Sequence, residues 1–123
     1  MPKRVLDIGN CAADHAAIRA LIKEHFDAEV VRAHGWQDAS REFQSGTVDM
    51  VLVNRRLDRD HSDGLEIIRQ IKSDPDLAVT PCILITNYSE YQTKALEAGA
   101  EPGFGKSELH DPRTIEKLKP FLA

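Results

Sequence analysis

Four apolar runs of strand length and a weaker fifth punctuate this chain: VLDI at 5–8, EVV at 29–31, MVLV at 50–53, CILIT at 82–86 and GFG at 103–105. They are continuous rather than alternating, which marks strands covered on both faces, the habit of parallel sheets. Parallel neighbours need crossover connections, and the intervening segments have helical spacing. Ala17, Ile18, Leu21, Ile22 and Phe26 follow the first run, Trp36, Ala39 and Phe43 the second, and Leu65, Ile68 and Ile71 the third. Ser89 with Gln92 three residues on predicts a capping box for a fourth helix, and Gly99 its stop. Asp111 before Pro112 opens a fifth, with Ile115, Leu118 and Leu122 as its inner face. The pattern predicts one α/β domain over residues 1–123: a (βα)5 chain whose right-handed crossovers make a doubly wound parallel sheet.

Composition sets the outer limits of function. A length of 123 residues suits a single core, and 41% hydrophobic with 29% charged residues is ordinary for a globular protein. No run approaches the roughly 18 apolar residues of a membrane span, and the stretch after MPKR carries Asp7 and is too short for a signal peptide core. A cytoplasmic location without membrane attachment is expected. The net charge of -4 and pI near 5.7 argue against nucleic acid and for a protein or small-molecule partner. Cys11 and Cys82 form no Cys-x-x-Cys pattern and fall at opposite ends of the sheet, so both are expected as free thiols.

In parallel sheets of this kind function sits beyond the C-terminal strand ends. That places Gly9, Asn10 and Cys11 after the first strand, Asn54 to Arg56 after the third, Thr86 and Asn87 after the fourth, and Lys106 and Ser107 after the fifth. Two other motifs fail on register. DRDHSDG lacks the glycine and glutamate of a calcium loop counted from Asp58. GFGKS at 103–107 has the tail of a phosphate-binding loop, but its first glycine falls on Ala100 and no helix opens directly behind it.

The pieces DMVLVN, DGLEIIRQIK, PCILIT and ALEAGAE, with a lysine after the fifth strand, together resemble the receiver domain of response regulators in two-component (phosphorelay) signalling. The resemblance covers essentially the whole chain. It implies a flavodoxin-like fold of strand order 2-1-3-4-5, a non-enzymatic signalling role, and a protein partner such as a histidine kinase-related protein, or a homodimer. Family members accept a phosphoryl group on an aspartate ending the third strand, and that position is Asn54. The two acidic metal-binding positions correspond to Gly9 and Asn10. Thr86 and Lys106 match the retained hydroxyl and lysine, Ser107 replaces the usual proline, and the loop from Asn54 to Gly64 is longer than the common pattern. Helix 4, strand 5 and helix 5 form the implied interface, with Tyr88, Tyr91 and Phe104 as candidates.

The chemistry of these replacements yields definite expectations. Magnesium seeks hard oxygen ligands, and this pocket offers no carboxylate, with Lys106 and Arg56 as cations. One charge pair at about 4 Å is worth roughly 4 kcal/mol at an effective dielectric near 20, so no metal and no other cofactor are expected. An amide lacks the negative oxygen of a carboxylate nucleophile, so Asn54 is expected only to accept a hydrogen bond from Lys106. The leading expectation is an atypical pseudo-receiver that works by protein binding without conventional aspartyl phosphorylation. Alternatives are an anion or small-ligand sensor built on Thr86 and Lys106, with Cys11, Arg56 and Asn87 as neighbours, and a phosphoacceptor using an unusual aspartate. Asp7, Asp58, Asp60 and Asp63 are the candidates for that rescue. Asp7 stands out, because a carboxylate inside a buried strand needs a partner or a path to solvent.

Overall fold

The continuous apolar runs become a parallel sheet because each strand buries alternate residues in different layers. The computed structural model describes residues 2–123. In chain order the elements are β1 (Lys3–Ile8), α1 (Ala12–His25), β2 (Ala28–Ala33), α2 (Trp36–Ser45), β3 (Met50–Asn54), α3 (Gly64–Ser73), β4 (Cys82–Ile85), α4 (Ser89–Glu97) and α5 (Pro112–Leu122), with one 3-10 turn at Lys106–Glu108. The sheet runs β2-β1-β3-β4, with every pair parallel.

Leu6, Ile8, Val51, Val53 and Leu84 face a layer containing Ala39, Leu65, Ile68, Ile71 and Ala95, from α2, α3 and α4. Val5, Met50, Leu52, Ile83 and Ile85 face the other, with Ile18 and Ile22 of α1 and Leu118 and Leu122 of α5. Each large aliphatic side chain so buried contributes about 1.5–3 kcal/mol relative to exposure. These two layers hold the strand ends, and hence the loops beyond them, in fixed relation.

The predicted fifth strand is not formed, so the sheet order 2-1-3-4-5 is corrected to 2-1-3-4. Residues 103–105 reduce to one isolated bridge, Ile85 to Phe104. The cause is Gln92. Its Nε2 donates to Leu84 O at 2.9 Å and Thr86 O at 3.3 Å, while its Oε1 accepts from Gly103 N at 3.1 Å. The side-chain amide thus takes hydrogen bonds that a fifth strand would otherwise exchange with β4. Pro102, which has no N–H to give, and two flanking glycines weaken the segment further.

Gln92 is therefore not the partner of a Ser89 capping box; Tyr88 holds the N-cap position without a side-chain cap. Gly99 does follow the end of α4 in the left-handed region, φ 103°. At α5 Asp111 caps as expected, accepting from Arg113 N at 2.9 Å, with Pro112 in the first turn. Thr114 rather than Ile115 completes the buried face of α5, and Ala17 of α1 lies exposed. Cys11 is an exposed free thiol and Cys82 a buried one, which burial pushes up to about 11.

Candidate functional site

The C-terminal ends of β3 and β4 and the 3-10 turn at Lys106 bring Asn54, Arg55, Arg56, Thr86, Asn87 and Lys106 around one open groove, with Tyr88 at its rim. Asn54 ends β3 half-buried. Its amide nitrogen donates to Gly9 O at 3.2 Å and to Arg56 O at 2.7 Å. The expected bond from Lys106 to Asn54 is absent, because Lys106 Nζ lies 2.7 Å from Asp14 Oδ2. Asp14 is the residue that sequence reasoning missed. Lys106, foremost, and the Cys11 thiol, which donates to the same oxygen at 3.2 Å, hold its carboxyl below the usual range. Nothing in linear spacing connects Asp14 to Lys106; only the packing of α1 beside the segment after β4 does.

Gly9 stands at φ 79°, where a glycine is favoured. A Cβ added there would overlap Leu57 Cδ2 and lie 3.1 Å from Leu57 Cα. The space beside Gly9 is thus filled by Leu57, which is buried in the first core layer. Leu57 is held by its own loop: its N–H donates to Ser62 O at 2.9 Å, and Asp58 N donates to Gly9 O at 3.0 Å.

Asn10 is fully buried and turns away from the groove, donating through Nδ2 to Asp7 Oδ1 at 2.6 Å. The other oxygen of Asp7 lies 2.7 Å from His15 Nδ1. Burial pushes the Asp7 carboxyl up, against the bonds from Asn10 and His15 and the charges of His15 and Arg32. Asp7 therefore does not enter the groove.

The remaining aspartates are engaged elsewhere. Asp58 Oδ2 meets Arg32 Nη2 at 3.2 Å, Asp60 accepts from both Ser62 N and Ser62 Oγ, and Asp63 caps α3 by accepting from Leu65 N at 2.9 Å. Thr86 is buried, and its Oγ1 accepts from Tyr88 N at 3.2 Å. Asn87 Oδ1 accepts from Ser107 N and Ser107 Oγ at 3.2 and 2.9 Å, pinning the segment that carries Lys106.

The arginines of the long loop also acquire places. Arg55 stacks its guanidinium 3.7 Å from the Tyr91 ring centroid, and its Nε is buried without a hydrogen-bond partner. Arg56 reaches back toward His61 O at 3.5 Å. Neither arginine has a carboxylate within ion-pair distance among the described residues. Tyr91 is half-buried against the core, while Tyr88 is 61% exposed and meets Tyr91 edge-on. Phe104, expected at an interface, is instead buried in the second core layer and is withdrawn as a surface residue.

Among the described residues no helix is long and apolar enough to cross a membrane, and no cluster of His, Cys, Asp and Glu is arranged to hold a metal ion.

Comparison with known proteins places the fold. The model of the response regulator receiver domain matches residues 11–116. A gliding motility regulatory protein of Myxococcus xanthus is 29% identical over 108 residues, covering 86% of this chain but only 14% of its own length. The fold is similar to that of the chemotaxis response regulator CheY4 of Vibrio cholerae, with TM-score 0.76, 16% identity and coverage of 99% of this chain and 100% of that one. It is also similar to the signal receiver domain of a DNA-binding response regulator from Colwellia psychrerythraea, with TM-score 0.79, 23% identity and coverage of 96% and 98%. A response regulator from Thermotoga maritima gives TM-score 0.79 at 18% identity, with 98% of each chain covered.

Proposed function

Because the chain belongs to the response regulator receiver domain family, we propose that it is a pseudo-receiver of two-component signalling, acting through protein binding without conventional aspartyl phosphorylation. The observation that carries this reading is the Asn54 amide. It donates to two backbone carbonyls, Gly9 O and Arg56 O, a task that an ionised carboxylate cannot perform. Asn54 is thus integrated as a hydrogen-bond donor, and an amide has no anionic oxygen with which to attack phosphorus.

The divalent ion that the family implies does not fit these residues. Gly9, Asn10 and Asn54 supply no carboxylate, Leu57 fills the space beside Gly9, and Lys106 occupies Asp14. A hard cation would meet Arg55, Arg56 and Lys106 instead of acidic oxygens. No step of this function is routed through a metal.

For the partner surface we favour α4, residues 102–105 and α5. Tyr88 and Leu96 are large exposed apolar side chains on that side, and exposed aromatics make effective interface anchors. The occupant is another signalling protein or a second copy of the chain. A cytoplasmic location accords with that role.

The test is incubation with acetyl phosphate and Mg²⁺, followed by intact mass before and after mild base. The expected result is no base-labile phosphoryl group. An acyl phosphate on any aspartate would overturn the reading. One observation favours a second reading, an anion sensor: Arg55 and Arg56 line the groove without carboxylate partners. Titration with inorganic phosphate distinguishes it, since Arg56→Ala would weaken binding there and leave a protein interface intact.

A further inference from the structure

A carboxylate in the middle of a parallel strand is a costly residue, and Asp7 is one: its register neighbours are Arg32 on β2 and Leu52 on β3, and it is 0% exposed. Buried charge persists where it is hydrogen-bonded. Asp7 has Asn10 Nδ2 on one oxygen at 2.6 Å and His15 Nδ1 on the other at 2.7 Å, while Arg32 Nε donates to Asn10 O at 3.2 Å and braces the turn. His15 lies in the first half of α1, with its side chain 17% exposed.

A carboxylate beside one ring nitrogen fixes the imidazole tautomer. With Asp7 ionised and His15 neutral, the 2.7 Å contact holds the proton on Nδ1 and leaves the lone pair on Nε2. Among the described residues nothing hydrogen-bonds to His15 Nε2, and it is not one of the side-chain atoms buried without a partner. It therefore meets solvent. The ring is immobilised at one end and free at the other, the arrangement that makes an imidazole an effective nucleophile.

None of the other four histidines shares this arrangement. His34 Nδ1 is buried and stands 3.8 Å from Asp58 Oδ1, beyond hydrogen-bond reach, while His25, His61 and His110 are exposed and have no carboxylate partner among the described residues.

We propose that His15 is a phosphoryl-acceptor site, with Nε2 as nucleophile and Asp7 as its positioning residue, taking phosphoryl groups from small N-phosphoryl donors. With phosphoramidate, the Nε2 lone pair forms the new N–P bond as the donor P–N bond breaks. The departing nitrogen, protonated from water, leaves as ammonia, and the Nδ1 proton stays on the bond to Asp7. No metal or redox partner enters the balance.

The experiment is incubation of the whole chain with phosphoramidate, with fragment mass spectrometry under alkaline conditions, where phosphohistidine survives and acyl phosphate does not. The expected result is one phosphoryl group on His15, added at least about tenfold faster than on His25 or His110, the scale on which an orienting carboxylate acts. His15→Gln abolishes that label. Asp7→Asn lowers the His15 rate to that of the exposed histidines, and ¹⁵N NMR of the parent shows the Nδ1–H tautomer. Equal labelling of all the exposed histidines, or no label on His15, would overturn the proposal. Mapping on the parent protein decides this even if Asp7→Asn does not fold. The absence of a His15 label leaves the pseudo-receiver reading intact, and an acyl phosphate would remove that reading without touching this one.

Discussion

Restoring the three acidic positions of the family, as Gly9→Asp, Asn10→Asp and Asn54→Asp together, should not restore a magnesium site. Each substitution meets a separate obstacle. At φ 79° a side chain costs roughly 1–2 kcal/mol, and its Cβ overlaps buried Leu57, adding about 1–3 kcal/mol of overpacking. At position 54 the carboxylate loses both donated bonds and sets its oxygen against the carbonyls of Gly9 and Arg56, at about 1–3 kcal/mol for the groups left unsatisfied. At position 10 a second carboxyl replaces the donor that lies 2.6 Å from Asp7 Oδ1, and two such groups cannot both ionise.

The sites touch, so these terms do not add strictly. Even so, a loss on the order of 5 kcal/mol is a large share of a domain's typical ~5–15 kcal/mol. The assay is urea unfolding with and without Mg²⁺, alongside calorimetric titration of the folded fraction. A lowered midpoint, unchanged by Mg²⁺, is expected. A variant as stable as the parent, or one stabilised by millimolar Mg²⁺, would refute the claim that the pocket has changed shape as well as charge.

Other perturbations read neighbouring parts of the same structure. Gln92→Ala should destabilise by about 1–3 kcal/mol, because Leu84 O and Gly103 N lose their partner; hydrogen exchange should quicken at Gly103 before β1 or β3. Lys106→Met should cost under about 1 kcal/mol near neutrality, since the pair is 34% exposed on both sides and screened by solvent. The Asp14 carboxyl lies below its usual value in the folded state, so this contribution is present above the unfolded value and vanishes as pH falls through the folded one. Melting curves of parent and variant should therefore converge in acid. Iodoacetamide at mildly alkaline pH should label Cys11 and spare Cys82, which is buried with its thiol held at about 11.

The sequence was informative where a local pattern had one physical solution. Continuous apolar runs admitted little besides covered parallel strands, and Asp111-Pro112 opened α5 where its chemistry required. It was misleading where a side chain competed with the backbone. Ser89 and Gln92 have capping-box spacing, yet Gln92 found stronger employment across β4, and the GFG segment lost its strand as a consequence. The groove was legible as a set of positions, since Asn54, Thr86, Asn87 and Lys106 do converge. Its bonding was not. The Lys106 to Asp14 pair, the entry of Leu57 beside Gly9 and the turning of Asn10 toward Asp7 all depend on distances that spacing does not encode.

The entry of Leu57 beside Gly9 and the bonds of Asn54 are linked through the β3–α3 loop. Gly9, free of a side chain and at positive φ, leaves room for Leu57; Leu57 in turn anchors the loop, and Asp58 N bonds Gly9 O. With the loop so seated, Arg56 O comes within 2.7 Å of the Asn54 amide, which closes the set by donating to Gly9 O as well. Asn54 is thus a consequence of where the loop lies as much as of a lost carboxylate. Leu57→Ala alone should therefore open space beside Gly9 at a cost of about 2–5 kcal/mol, and only in that background should Gly9→Asp be tolerated better than in the parent. A double-mutant cycle by urea unfolding reads this directly: a coupling energy near zero between positions 9 and 57 would mean that the loop and the emptied site are independent, and the seating of the loop could then no longer explain the bonds that Asn54 makes.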